Sequence, residues 1–432
     1  MRKKAYKDTA FNAIDYLSTL VIFLITTKLL IAQLGTDGYG FYMFFTSLIG
    51  TFGLVDIGMG MAVSKYLSEF IHQNKFIEGN QVITQAFIFY LAIGVVLVSA
   101  INYFSAELLS LFNFSAKFSQ LGVEILFITS LVFMMNLFIS IGTNVLVALE
   151  KWQEISVLNI ILKILNAFVL VRVLLLDIGF SHKVEYVFYS ILIFSVLKFL
   201  LYSGLAYRHY PEFEWQKPTT EIRGKISSFL KWSSVQYGLS MMVGHADKII
   251  ISRFFGLETL GVYSFVVNAF IYLFGFLTSA FKIFFPKLSK IHADKDIQKL
   301  KFYFKRLILW SLAVSIFIGT VSVACWIPFV SIYIDIDFAR KSFLYFLMFS
   351  IYLVIRSPEI IFSYFFNATA KPVVLVKNVA IGSAATVISY FIFVPIFKTY
   401  GLIVAQIVGS LSIYCYLYYQ IKRNGFHDFA TA

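Results

Sequence analysis

The sequence reads as an all-α polytopic membrane protein of twelve transmembrane helices, in two six-helix lobes related by a parallel pseudo-twofold repeat. Three observations predict this. Of the 432 residues, 59% are hydrophobic and only 14% charged, against roughly a quarter charged in soluble domains. Apolar runs of bilayer length are divided by short polar loops. One motif recurs in both halves. A spanning helix needs roughly 20 mainly apolar residues, so about 255 hydrophobic residues supply about a dozen spans and leave little for anything else. A soluble enzyme and a nucleic-acid-binding protein are excluded. The net charge of +13 is therefore set against membrane lipids rather than nucleic acid.

Twelve spans follow in order, near residues 14–34, 41–63, 82–104, 123–148, 157–176, 186–207, 229–252, 262–285, 307–330, 343–366, 373–396 and 401–421. Runs this long must satisfy their own backbone hydrogen bonds in lipid, which makes them helices. The basic start, Arg2-Lys3-Lys4, resembles the front of a signal peptide. No small-residue cleavage site follows it, so the first run is read as a retained helix. Loop charges set the orientation. With the N-terminus inside, cytoplasmic segments carry 21 Lys and Arg, outer loops 6, and 9 lie within spans. Both termini and the basic loop 286–306 are expected in the cytoplasm of a cell whose inner membrane holds the chain. The longest outer loop, 105–122, is too short for a catalytic domain. Cys325 and Cys415 fall in apolar runs and are read as small buried hydrophobes.

The repeat pairs LGTDGYGFYMF (Leu34–Phe44) with FGLETLGVYSF (Phe255–Phe265) at an offset of 221. Gly35 falls on Gly256, Gly40 on Gly261, Tyr42 on Tyr263 and Phe44 on Phe265. Leu67-Ser68 falls on Leu288-Ser289, and one residue off register Ala148 and Lys151 correspond to Ala368 and Lys371. Six spans per half give both copies the same orientation, with the axis along the membrane normal, as in transporters built from parallel halves. The expected division is an N-terminal lobe at 1–207, a cytoplasmic linker at 208–228 and a C-terminal lobe at 229–432.

A transport path needs a polar lining, which on a helix recurs at i, i+3/i+4 and i+7. Span 7 carries Ser233, Gln236, Ser240 and Asp247 on one face; span 1 carries Asn12, Asp15, Thr19 and Thr26. The two stripes coincide under the offset of 221. Asn268 begins a similar stripe on span 8. Small and polar residues also glue helices together, so the Ser, Thr and Gly positions leave both readings open. Ionisable groups are harder to explain that way, since each costs roughly 2.5–3.5 kcal/mol at the bilayer centre. Lysines near helix ends can snorkel. The candidate cavity cations that remain are Arg356, Lys163, Lys198 and Lys248, although Arg356 could simply pair with Glu359 at i, i+3. Asp247 and Asp56 are candidate ion-coupling carboxylates, able to exchange a proton if isolated. No phosphate-binding G-x-x-x-x-G-K-[ST] loop, metal motif or nucleophile elbow occurs, so no catalytic residue, metal or cofactor is expected.

The segments LGTDGYGFY, GLVDIGMGMAVSKYLSE and HADKIIISRFFGLETLGVYSF carry a resemblance. Asp247 to Tyr263 fits the pattern D-x-x-L-[IL]-x-x-x-x-G-x-x-x-[LV]-G-x-Y, with Ile250 and Ile251 in the apolar places. With ALEKWQEIS and NATAKPVVLVK, the chain resembles the polysaccharide transport family, the O-antigen-type flippases of the multidrug/oligosaccharidyl-lipid/polysaccharide (MOP) flippase superfamily. The resemblance implies a carrier of undecaprenyl-pyrophosphate-linked oligosaccharide. It would work by alternating access, with a cationic cavity for the pyrophosphate and contacts with polysaccharide assembly proteins. Three rivals stay open: a drug/cation antiporter of the same superfamily, a membrane glycosyltransferase or polymerase, and a membrane scaffold.

Overall fold

The computed structural model describes residues 2–52, 56, 58–112, 114–294, 296–369 and 372–431, without the side chains of 2–16, 52, 232–242, 286, 293, 372, 373, 375, 421 and 423–431. Among the described residues the regular elements are helical. They are α1 (Arg2–Phe52), α2 (Met59–His72), α3 (Phe76–Tyr103), α4 (Ser105–Ser110), α5 (Ala116–Ala148), α6 (Trp152–Leu174) and α7 (Phe180–His209). There follow α8 (Thr220–Phe254), α9 (Gly256–Phe281), a 3-10 turn at Lys282–Phe284, α10 (Phe285–Ala293), α11 (Ile297–Tyr333), α12 (Ile336–Ala368), α13 (Pro372–Phe397) and α14 (Tyr400–Thr431). Ten helical segments among the described residues are long and apolar enough to cross a membrane.

Local chemistry sets the boundaries. The Asp296 and Asp335 carboxylates accept the N–H groups of Lys299 (2.9 Å) and Phe338 (2.7 Å), capping α11 and α12. The ends of α2 and α5 are closed by left-handed residues, Asn74 (φ 57°) and Glu150 (φ 58°). After each, the next N–H reaches back over the last turn, Lys75 to Phe70 O (2.8 Å) and Lys151 to Leu146 O (2.9 Å). Short helix–helix connections result.

Three expectations change in detail. The first span and residues 41–52 of the second lie on one element, α1, whose limbs meet at Gly35 (φ 74°, ψ 173°), and the second span ends within α2. The expected outer loop 105–122 contains α4 and the start of α5, so little of it is irregular. Cys325 and Cys415 are exposed rather than buried; in an apolar span, a face turned to lipid is as hydrophobic in sequence as one turned to the core.

The chain forms two compact units, residues 1–261 and 262–432. In the first, α2 packs on α3 and α5, α3 on α5, α5 on α7, and α6 on α7; α8 packs on α1, α2 and α3. In the second, α10 packs on α11 and α12, α11 on α12, α12 on α14, and α13 on α14. The order of neighbours is the same. The boundaries repeat as well: α3 and α11 begin 221 residues apart, while α5 and α12 begin and end 220 apart.

The motif that revealed the repeat has a structural reason. Gly256, like Gly35, has a positive φ, 84°. Within the first unit, Gly40 lies against the start of α9, and a Cβ there would sit 1.9 Å from the Leu257 carbonyl oxygen. A Cβ on Gly261 would sit 2.5 Å from the Thr36 carbonyl oxygen. Thr36 and Leu257 are themselves 221 apart, so the two copies meet through equivalent atoms, and only glycine permits the approach.

Candidate functional site

Two polar clusters sit inside otherwise apolar helices. The first lies in unit 1, where Asp56, between α1 and α2, accepts hydrogen bonds from Tyr90 of α3 and from the Ser140 hydroxyl of α5 (3.0 Å). The chain of bonds continues outward. Asn144 Nδ2 donates to Ser140 Oγ (3.0 Å), and Ser64 of α2 donates to Asn144 Oδ1 (2.7 Å). Gly60 makes room for it, since a Cβ there would lie 2.5 Å from Asn144 Nδ2. Among the described residues no cation pairs with Asp56. Hydroxyl donors and the Gly60 backbone surround it instead, as a buried polar group requires. Tyr90, wholly buried, Asn144 and Ser64 were missed. Only the placing of a Tyr and an Asn amid apolar neighbours marked them.

The second cluster lies in unit 2. Arg356 of α12 holds its guanidinium carbon 4.6 Å from the ring centroid of Phe274 on α9 and 5.6 Å from that of Tyr352. That is a cation–π geometry. Tyr352 in turn stacks on Phe270 at 5.2 Å. The Arg356 Nε to Glu359 Oε2 distance is 3.5 Å, and the two side chains are 36% and 21% exposed. Among the described residues Arg356 Nε and Glu359 Oε1 are buried without a hydrogen-bond partner, so at these two atoms the charges attract without an aligned bond. Tyr414 of α14 donates to the Ile355 carbonyl and ties α14 to the turn that carries Arg356. Sequence reasoning found Arg356 and Glu359 but missed Phe274 and Tyr414, because aromatic residues are common in every span.

The other expected residues divide. Lys163 of α6 donates to the Thr19 hydroxyl of α1 at 2.9 Å, so a candidate cation meets a member of the polar stripe. Thr26 instead bonds back to Ile22 O of its own helix (2.8 Å). The side chains of Asp15, Gln236 and Ser240, with those of Asn12 and Ser233, lie outside the described ones. Asn268 is half-buried on α9 and Lys198 half-buried on α7. Asp247 and Lys248 are both buried, and an Asp247 carboxylate oxygen accepts the Lys248 N–H at 2.7 Å. The His245 ring packs on Gly50, where a Cβ would meet Cε1 at 2.5 Å, and His245 Nδ1 is a buried atom without a partner among the described residues.

A family profile described as polysaccharide biosynthesis protein matches residues 33–310. The chain belongs to that family. A candidate O-antigen transporter of Salmonella typhi is 24% identical over 300 residues, 67% of this chain and 66% of that protein, just under two thirds of its length. The fold is shared with solved MOP-type structures. The lipid II flippase MurJ in an inward closed conformation aligns with a TM-score of 0.75 at 14% identity, covering 96% of this chain and 89% of that one. An inward-facing multidrug resistance transporter of the MATE family and MOP superfamily aligns at 0.72 and 13% identity, covering 95% and 96%. The chain is therefore a member of the polysaccharide biosynthesis protein family with a MATE- and MurJ-like fold.

Proposed function

We propose that the protein is a flippase that moves undecaprenyl-pyrophosphate-linked oligosaccharide across the cytoplasmic membrane for surface polysaccharide export. Membership of the polysaccharide biosynthesis family supports the substrate class. The observation that carries the reading is Arg356, a partly exposed side chain whose guanidinium carbon lies 4.6 Å from the Phe274 ring centroid inside a membrane-spanning helix. A pyrophosphate leaving water unpaired would lose its hydration at a cost of many kcal/mol. An arginine fork returns part of that through charge-assisted, bidentate hydrogen bonds. Lys163, Lys198 and Lys248 would add point charges from other helices. Lobes at 1–207 and 229–432 would rock about the pseudo-twofold axis, with both termini cytoplasmic. Asp56 and Asp247 would supply the coupling ion's site, and assembly proteins would receive the product. Chromosomal Arg356→Ala should leave the protein in the membrane while lipid-linked precursor accumulates on the cytoplasmic leaflet. Normal surface glycan in that strain would remove Arg356 from the substrate path.

A further inference from the structure

An apolar groove lies on unit 1. A groove of about 590 Å³ runs between α6 and α7, lined by Val157, Leu158 and Ile161 on one side and Leu200, Leu201 and Leu205 on the other. Val157, Ile161, Leu200 and Leu201 are exposed. Gly204 opens the groove further, because a Cβ added there would meet nothing within 4 Å.

One end of the groove is charged. Gln153, Glu154 and Arg208 close it, where α6 begins and α7 ends. The Glu154 carboxylate already faces His209 Nε2 at 2.6 Å and Lys151 Nζ at 4.0 Å. Among the described residues Arg208 makes no ion pair, so an exposed cation with no counter-charge stands on the lip. From Gln153 to Ile161 the helix rises about 12 Å at 1.5 Å per residue. One leaflet of hydrocarbon is about 15 Å deep, half of a bilayer core. The groove therefore has the depth of one leaflet, apolar walls below and a cation at the level of the headgroups.

We propose that this groove is a binding site for one anionic phospholipid, with its phosphate on Arg208 and an acyl chain along Gly204, Leu201 and Ile161. Basic residues at the mouths of grooves between membrane helices recognise anionic headgroups, and the apolar walls would hold the chain. The site depends only on the chain being a membrane protein, so it stands or falls separately from the flippase reading.

The test uses the full-length protein in neutral nanodiscs with a photoactivatable phosphatidylglycerol, adducts being mapped by peptide mass spectrometry. Adducts should concentrate on the α6 and α7 peptides that line the groove. Gly204→Trp, which fills the groove from an open position, should abolish them. Arg208→Ala should reduce the preference for phosphatidylglycerol over phosphatidylcholine roughly fivefold, the worth of one basic residue at an anionic surface. Lys183→Ala, at the opposite end of α7, should change neither. Labelling that survives both groove variants, or is equal with the phosphatidylcholine probe, overturns the proposal. So does stronger labelling of these peptides by a polyprenyl-phosphate probe, which would make the groove part of a substrate path.

Discussion

Gly40 and Gly261 approach so closely that neither could carry a side chain, and each is backed by the carbonyl of the residue four positions before the other, Thr36 for Gly261 and Leu257 for Gly40. This contact between equivalent atoms makes the motif a structural requirement. Gly40→Ala should destabilise by about 1–3 kcal/mol or more through overpacking, and Gly261→Ala by less, because its Cβ would start 2.5 Å rather than 1.9 Å from oxygen. Gly35→Ala faces no clash but keeps φ at 74°, a cost of about 1–3 kcal/mol. Gly224→Ala meets nothing and should stay within about 0.5 kcal/mol. Thermal unfolding of the four purified variants gives the order.

The Asp56 cluster yields a second prediction. Tyr90→Phe takes one hydroxyl donor from a buried carboxylate that no described cation pairs with, and should cost about 1–3 kcal/mol of stability. Ser140→Ala breaks the link between Asp56 and Asn144 and should cost a similar amount. If the cluster couples transport to an ion, Asp56→Asn with Asp247→Asn should abolish dependence on a proton or sodium gradient. Unchanged gradient dependence in the double variant would leave both carboxylates structural.

Why these two clusters were only half legible follows from the repeat itself. The repeat was legible because backbone requirements, such as those at Gly35/Gly256 and Gly40/Gly261, leave fixed residues at a fixed spacing. Asp56 and Arg356 do not share that register. Asp56 corresponds to Leu277, and Arg356 to Asn136 at an offset of 220. Rare ionisable residues in apolar helices were visible one at a time, and Arg356, Lys163 and Asp56 were found that way. Their partners, Phe274, Tyr90 and Asn144, are ordinary residues brought near by packing. The polar stripe on span 1 was legible by its period; of its described side chains Thr19 meets another helix, at Lys163, and Thr26 bonds back to its own.

Lys163 and Thr19 supply a third prediction. Lys163→Met removes a cation and the donor to Thr19, whereas Thr19→Val removes only the acceptor. If Lys163 serves the substrate, Lys163→Met should slow flipping at least tenfold while Thr19→Val changes it less. Equal, small effects would mark the pair as helix–helix glue.

The Arg356 cluster separates charge from fork. Arg356→Lys keeps the charge but loses the planar donor set, so it should restore only part of the transport lost in Arg356→Ala. Phe274→Leu leaves the charge but removes the ring beneath it, and should weaken substrate affinity by about two- to fivefold, the worth of an exposed cation–π contact of about 0.5–1 kcal/mol. The competing account, an Arg356–Glu359 structural pair, expects Arg356→Met with Glu359→Gln to export normally. Surface glycan measured in that double variant distinguishes the two.

The most direct measurement is flipping by the purified protein alone. Proteoliposomes carrying a fluorescent undecaprenyl-pyrophosphate oligosaccharide on one leaflet should lose that asymmetry in the presence of wild-type protein, as read by a membrane-impermeant quencher, and should keep it with Arg356→Ala. Retained asymmetry with wild-type protein, together with gradient-driven movement of an organic cation across the same vesicles, would contradict the account and make the chain a drug antiporter.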